Sequence, residues 1–189
     1  METPDWRSTR VAFHTDFYLR YLEAILGSGV DVVLGGDDLG QKAGPLMRPE
    51  LIEKSCGDGY RRVTDLIHRH GKKLLWHSCG NICPFLDRFV DWGIDGLVTL
   101  EPTAGMDLAK VREHVGHKLA LVGNLDVSCL LVHGRLEEIE EAVKNAIGGA
   151  ARSGGYVPSA AHSHPHIDAT RLRWMVEVAQ PWGRYPIRI

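Results

Sequence analysis

The sequence predicts an α/β protein of the (β/α)8 TIM-barrel type, present as a partial barrel of about five β/α units. Three observations carry this expectation. Short apolar runs alternate with amphipathic helices along the whole chain, which implies parallel strands joined by right-handed crossovers. The runs are continuously apolar, as expected of strands buried on both faces. A polar loop follows each run, and barrel enzymes carry their chemistry on the loops after their strands. A doubly wound sheet fits the same alternation. The absence of Gly-x-Gly-x-x-Gly after the first strand weakens a dinucleotide-binding version of it. A closed barrel needs eight units, typically in about 250 residues, and this chain has 189. Residues 1–189 therefore read as one domain that is either a partial barrel or a barrel lacking an N-terminal portion. Unpaired strand edges in such a fold favour association, with another copy completing the barrel as one outcome.

The elements follow in order. A helix is expected over 13–26, then a strand over 30–34 running into Gly35-Gly36-Asp37-Asp38. The next helix, 49–70, carries Leu51, Ile52, Val63, Leu66 and Ile67 at helical spacing, with Gly71 placed to cap its end. Lys54-Ser55-Cys56-Gly57-Asp58-Gly59 interrupts that pattern and reads as a local break without function. A strand over 73–76 ends in His77-Ser78-Cys79-Gly80-Asn81, and a helix over 84–92 follows. The strand over 96–100 leads to Glu101-Pro102 and a helix over 107–115. The strand over 119–122 leads to Gly123-Asn124-Leu125-Asp126. The clearest helix spans 136–150, with Ile139, Val143 and Ile147 on one stripe. A last strand, 155–157, leads to Pro158-Ser159-Ala160-Ala161-His162, and a helix over 168–178 closes the pattern.

Composition narrows the function classes. The formal net charge is -2, so nothing electrostatic argues for nucleic acid or an anionic membrane as partner. No apolar run is long enough to span a bilayer. Met1-Glu2-Thr3-Pro4-Asp5-Trp6 has neither a basic n-region nor an apolar h-region, so the expected location is the cytoplasm. There the four cysteines are expected as thiols. Ten histidines prompt a search for metal or acid–base sites.

His77-Ser78-Cys79 is the sharpest signal. Residues two apart on a strand share a face, so the imidazole and thiol converge. Both are good zinc ligands, and Gly80 lets the backbone turn beneath a ligand. The alternative is a buried cysteine beside a loop-capping histidine. Glu101, at the next strand end, is a third ligand, a general base or a helix-capping residue. His162 heads His162-Ser163-His164-Pro165-His166 and is the candidate ligand there, the later two reading as loop residues. Of Asp37 and Asp38, adjacent on an extended backbone, only one is expected to face the pocket, and Asp38 is carried as a catalytic candidate. Asn124 and Asp126 share a face, where they orient a substrate or cap the helix that follows.

Taken together, Gly35-Gly36-Asp37-Asp38-Leu39-Gly40, the stretch from Lys72 to Asn81, Glu101-Pro102-Thr103-Ala104-Gly105-Met106-Asp107 and Gly123-Asn124-Leu125-Asp126 resemble the uroporphyrinogen decarboxylase superfamily. That superfamily is a (β/α)8 barrel containing porphyrinogen decarboxylases and methyltransferases that work with corrinoid proteins. The resemblance covers nearly the whole chain, but only the C-terminal half to two-thirds of the usual domain. The decarboxylases' Arg-Gln-Ala-Gly-Arg segment is absent, and Val127 stands where their Gly-Asn-x-Asp-Pro motif has proline. The methyltransferase branch holds zinc with a His-x-Cys pair, matched by His77 and Cys79, and a later ligand. The later cysteine of the thiol-methylating members is missing, and His162 stands near its place with Glu101 as competitor.

The resemblance thus implies zinc-dependent methyl transfer between a small substrate or thiol and a corrinoid carried by a partner protein. Asp38, Glu101, Asn124 and Asp126 are the expected catalytic residues. His77, Cys79, Glu101 and His162 are the expected metal ligands. The alternatives are a decarboxylase acting on a porphyrinogen, and a truncated, non-catalytic binding subunit. An acidic tetrapyrrole calls for several cationic side chains, and Lys42 and Arg48 are the only basic residues near a suitable loop.

Overall fold

The structure, a computed structural model, describes residues 6–189. Helix α1 (Trp6–Leu26) leads into strand β1 (Val32–Gly36). A short antiparallel hairpin of β2 (Gly40–Gln41) and β3 (Gly44–Pro45) follows, then α2 (Pro49–Arg69) and β4 (Lys73–His77). A 3-10 turn, Cys83–Phe85, opens α3 (Leu86–Asp91), which leads to β5 (Gly96–Thr99), α4 (Leu108–Val115) and β6 (Ala120–Leu125). A π-helical turn, Val127–Leu131, precedes α5 (Leu136–Ala150), β7 (Tyr156–Ala160) and α6 (Ala169–Trp182).

Five strands form one all-parallel sheet in the order β1-β4-β5-β6-β7. The order never reverses, so the sheet lacks the switch point of a doubly wound fold. Strands added one after another in sequence, each separated by a helix, make a partial (β/α)8 barrel. Leu97 in β5 and Leu121 in β6 are fully buried, as continuous apolar strands require. Strand β1 departs from that expectation: among the described residues it has a neighbour on one side only, and Val32 and Leu34 are exposed.

Except in β5, which stops at Thr99, the strand ends run later than the apolar pattern suggests. Pairing continues through Gly36↔His77 and Asn124↔Ser159, because backbone hydrogen bonding does not stop where side chains turn polar. Helix α1 begins well before residue 13, and α6 runs on through Pro181 near its C-terminal end. The β2–β3 hairpin has no counterpart in the apolar pattern. Its two strands are only two residues each.

The expected break at Cys56 does not occur; α2 is continuous. Its two glycines are there for space. A Cβ on Gly57 would stand 2.8 Å from the Glu53 carboxylate, which accepts hydrogen bonds from Arg61 at 2.6 Å and from the Trp92 indole at 2.7 Å. A Cβ on Gly59 would stand 2.6 Å from Oγ1 of buried Thr15, across the α1–α2 contact. No described helix is long and apolar enough to cross a membrane.

Candidate functional site at the strand ends

Strand β4 delivers His77 as its last residue, and Ser78-Cys79-Gly80 turn away beneath the loop after β1. The two loops are joined along their length. Asp37 N–H donates to the His77 carbonyl at 3.1 Å, Leu39 N–H to the buried Ser78 hydroxyl at 3.0 Å, and Asn81 N–H to the Gln41 carbonyl at 2.9 Å. The approach requires glycine at Gly80. Its φ is +74°, in the left-handed region, and a Cβ there would lie 2.4 Å from Gln41 N.

This seam brings Asp38 to the His-x-Cys pair. Cys79 Sγ lies 3.3 Å from His77 Nε2, and Asp38 Oδ1 lies 3.9 Å from the same nitrogen. Cys79 N–H also donates to Asp38 Oδ1 at 3.0 Å. Among the described residues, Asp38, His77 and Cys79 are the one group of three donors that could hold a metal ion, with their ligand atoms within 4.8 Å of one another. Burial pushes the Cys79 thiol pKa up, and the carboxylates of Asp38 and Glu101 push it further.

The imidazole is held from behind. His77 Nδ1 and Thr99 Oγ1 are 2.9 Å apart, which leaves Nε2 facing the thiol. Thr99 is buried and has φ 92°, an outlier for a β-branched residue, and Leu100 after it has φ 47°. The adjacent β6 backbone fits this shape only through Gly123, where a Cβ would fall 2.3 Å from the Thr99 carbonyl oxygen.

The remaining candidates are placed differently. Glu101 lies outside the donor group and ties loops together: Oε2 accepts from Gly80 N–H at 3.3 Å and Oε1 from the Thr103 hydroxyl at 2.8 Å. His162 also lies outside the group; its Nδ1 is buried and finds no hydrogen-bond partner among the described residues. The Asn124 side-chain amide donates to the carbonyls of Leu100 and Met106, both at 2.7 Å, so it clamps the loop after β5. The Asp126 carboxylate caps the π-helical turn, accepting from the N–H groups of Ser128, Cys129 and Leu130. That is the capping alternative for Asp126, with its carboxylate turned to the backbone rather than to a substrate. Of the neighbouring pair, Asp37 accepts the Tyr60 hydroxyl at 2.8 Å while Asp38 turns to the thiol and imidazole. The role of Thr99 had no sequence signal, because it depends on a backbone angle that threonine rarely adopts.

An open cleft of about 960 Å³ runs beside β1 between α1 and α2. Tyr18, Tyr21, Tyr60 and Trp76 give it aromatic walls, and Asp37, Asp38 and His77 are part of its lining, so both aspartates border the cleft rather than the one expected.

The uroporphyrinogen decarboxylase family model matches residues 2–182. The chain is 32% identical over 174 residues to uroporphyrinogen decarboxylase from Actinobacillus pleuropneumoniae serotype 5b (strain L20), covering 89% of this chain and 46% of that protein. It is 36% identical over 163 residues to the enzyme of the same name from Shewanella baltica (strain OS185), covering 81% and 42%. The fold is similar to that of a methyltransferase from Methanosarcina mazei, with TM-score 0.72, 22% identity, and coverage of 90% of this chain and 48% of that one. The chain spans somewhat under half the length of the curated relatives it matches.

Proposed function

We propose, from the premise that this chain belongs to the uroporphyrinogen decarboxylase family, that it works in zinc-dependent transfer of a methyl group between a small substrate or thiol and a corrinoid carried by a partner protein. The observation that carries this reading is the donor set at the strand ends, where nitrogen, sulfur and oxygen ligand atoms converge within 4.8 Å. Zinc suits such donors. Bound there, it would lower the pKa of a coordinated substrate thiol and supply a thiolate near neutral pH.

The chain's own residues do the rest. The Thr99 hydroxyl orients the His77 ring so that Nε2 points to the donors. The seam through Gly80 keeps Cys79 and Asp38 in register. Asn124 and Glu101 hold the neighbouring loops around them.

Decarboxylation of a porphyrinogen is the second reading, favoured by the names of the curated relatives. Against it stands the charge at the site, since the carboxylates of Asp38 and Glu101 flank Cys79 and would repel a substrate bearing several carboxylates.

Metal analysis of the purified protein separates the readings. Stoichiometric zinc is expected, lost in both His77→Ala and Cys79→Ala. Wild-type protein without zinc, or variants that keep it, would sink the proposal. Turnover of a porphyrinogen by metal-free protein would favour the decarboxylase. A protein with neither metal nor turnover would favour a non-catalytic subunit.

A further inference from the structure

We infer that Asp38, not a residue after β5 or β7, is the third protein ligand of the metal centre, and that Thr99 is its positioning residue. The inference rests on the metal reading above and specifies its coordination. It starts from distances. Metal–ligand bonds of ~2.0–2.3 Å around a tetrahedral ion put neighbouring ligand atoms ~3.3–3.8 Å apart. His77 Nε2 to Cys79 Sγ is 3.3 Å, within that spacing, and His77 Nε2 to Asp38 Oδ1 is 3.9 Å, just beyond it, so a small inward movement of Asp38 completes the set.

The competitors after β5 and β7 lie outside the donor group. Both Glu101 oxygens accept hydrogen bonds, from Gly80 N–H and the Thr103 hydroxyl. His162 lies outside the donor group. The thiol of Cys83, the nearest further cysteine in sequence, is directed at the Met106 sulfur at 3.5 Å.

Asp38 is also pinned. Its backbone sits between the Asp37 N–H bond to His77 and the Leu39 N–H bond to Ser78. Its carboxylate already accepts from Cys79 N–H, so the loop is fixed before any ion arrives. Opposite it, Thr99 Oγ1 engages Nδ1 of the imidazole at 2.9 Å. With Nδ1–H donating to Thr99 Oγ1, the Nε2 lone pair is the one left for a metal. Three protein ligands around a tetrahedral ion leave one position for substrate, which is the pattern of a catalytic rather than a structural site. Asp38 and His77 both line the aromatic cleft, which gives that position a route for a thiol or methylated thiol.

Cobalt(II) titration reads the coordination directly, through the thiolate-to-cobalt charge-transfer band, the tetrahedral d–d bands and competition with a chelator. Wild-type protein is expected to bind cobalt with both sets of bands. Asp38→Asn keeps a carbonyl oxygen for Cys79 N–H and therefore the loop, yet affinity should fall by more than the ~10–100-fold typical of losing an outer partner. Thr99→Val should fall within that ~10–100-fold range, with the charge-transfer band retained, and Thr99→Ser should restore affinity. Asp37→Asn, which removes the same charge one residue away, should keep wild-type affinity. Wild-type affinity in Asp38→Asn, with the loss appearing instead in Glu101→Gln or His162→Ala, would overturn the assignment while leaving the metal reading intact. Wild-type protein that binds no cobalt would overturn both.

Discussion

Asp95 shows how a single carboxylate holds the opposite end of the sheet from the site. It precedes β5 and accepts hydrogen bonds from Lys73 Nζ at 2.8 Å, His68 Nε2 at 2.7 Å and Leu74 N–H at 2.9 Å. Burial alone would push its carboxyl pKa up, but the bonds from Leu74, Lys73 and His68 outweigh that and hold it below the usual range. A depressed folded-state pKa stabilises the protein above the unfolded value, and the contribution disappears as pH falls through the folded one. Urea titrations should therefore show stability falling from about pH 4 downward. Asp95→Asn should cost about 2 kcal/mol at neutral pH and flatten that acid dependence. An unchanged acid limb in the variant would count against this account. At the same scale, Asp38 could be marked from sequence because an aspartate after an apolar strand is conspicuous. Its partnership with Cys79 could not, since the two are 41 residues apart and meet only because β1 pairs with β4. Thr99 was invisible for a different reason: an ordinary threonine at a strand end gives no hint of a positive φ.

The elements were legible wherever hydrophobic spacing was uninterrupted. Helix α5 has the bounds that its apolar stripe implied, and Asp107 caps α4 through the N–H groups of Ala109 and Lys110. Helix α2 was harder to read. Glycines at 57 and 59 look like breakers, yet tertiary packing overrides their poor propensity. Gly59→Ala tests this balance. Intrinsic helix propensity favours alanine by about 1 kcal/mol, while the new methyl would meet Thr15 Oγ1 at 2.6 Å. Thr15 is short, buried and β-branched, so it has little room to move. Overpacking of this kind costs about 1–3 kcal/mol, so net destabilisation is expected in a thermal melt. Adding Thr15→Ala should recover the loss, and a non-additive double-mutant cycle is the signature. Additive effects would place the cause elsewhere.

The whole molecule is a barrel wall with an uncovered margin. Val32 and Leu34 on β1 are exposed, as are Phe13, Phe17, Tyr18 and Tyr21 on α1. One edge of β1 has no pairing strand among the described residues. Such an edge beside an apolar face is a site of association. Sedimentation velocity should show mass rising with concentration, and Leu34→Lys should lower the associated fraction. A wild-type chain that stays monomeric at all concentrations would contradict this. The strand–helix alternation left a barrel and a doubly wound sheet open; the polar loops after the strands pointed to the barrel, and the unreversed strand order decides for it. The alternation could not give the strand ends, because pairing ran on through polar residues such as Asn124. Since β1 pairs with β4, His77 stands one strand in from the open margin. Its side chain is 39% exposed and that of Asp38 is 59% exposed. Solvent and chelators therefore reach the centre from the side as well as from above. On the proposed metal reading, an ion held here would be kinetically labile while β1 is bare, and isotope exchange would slow once a strand lies against it. Exchange rate, rather than affinity, becomes the gauge of how far the barrel has closed.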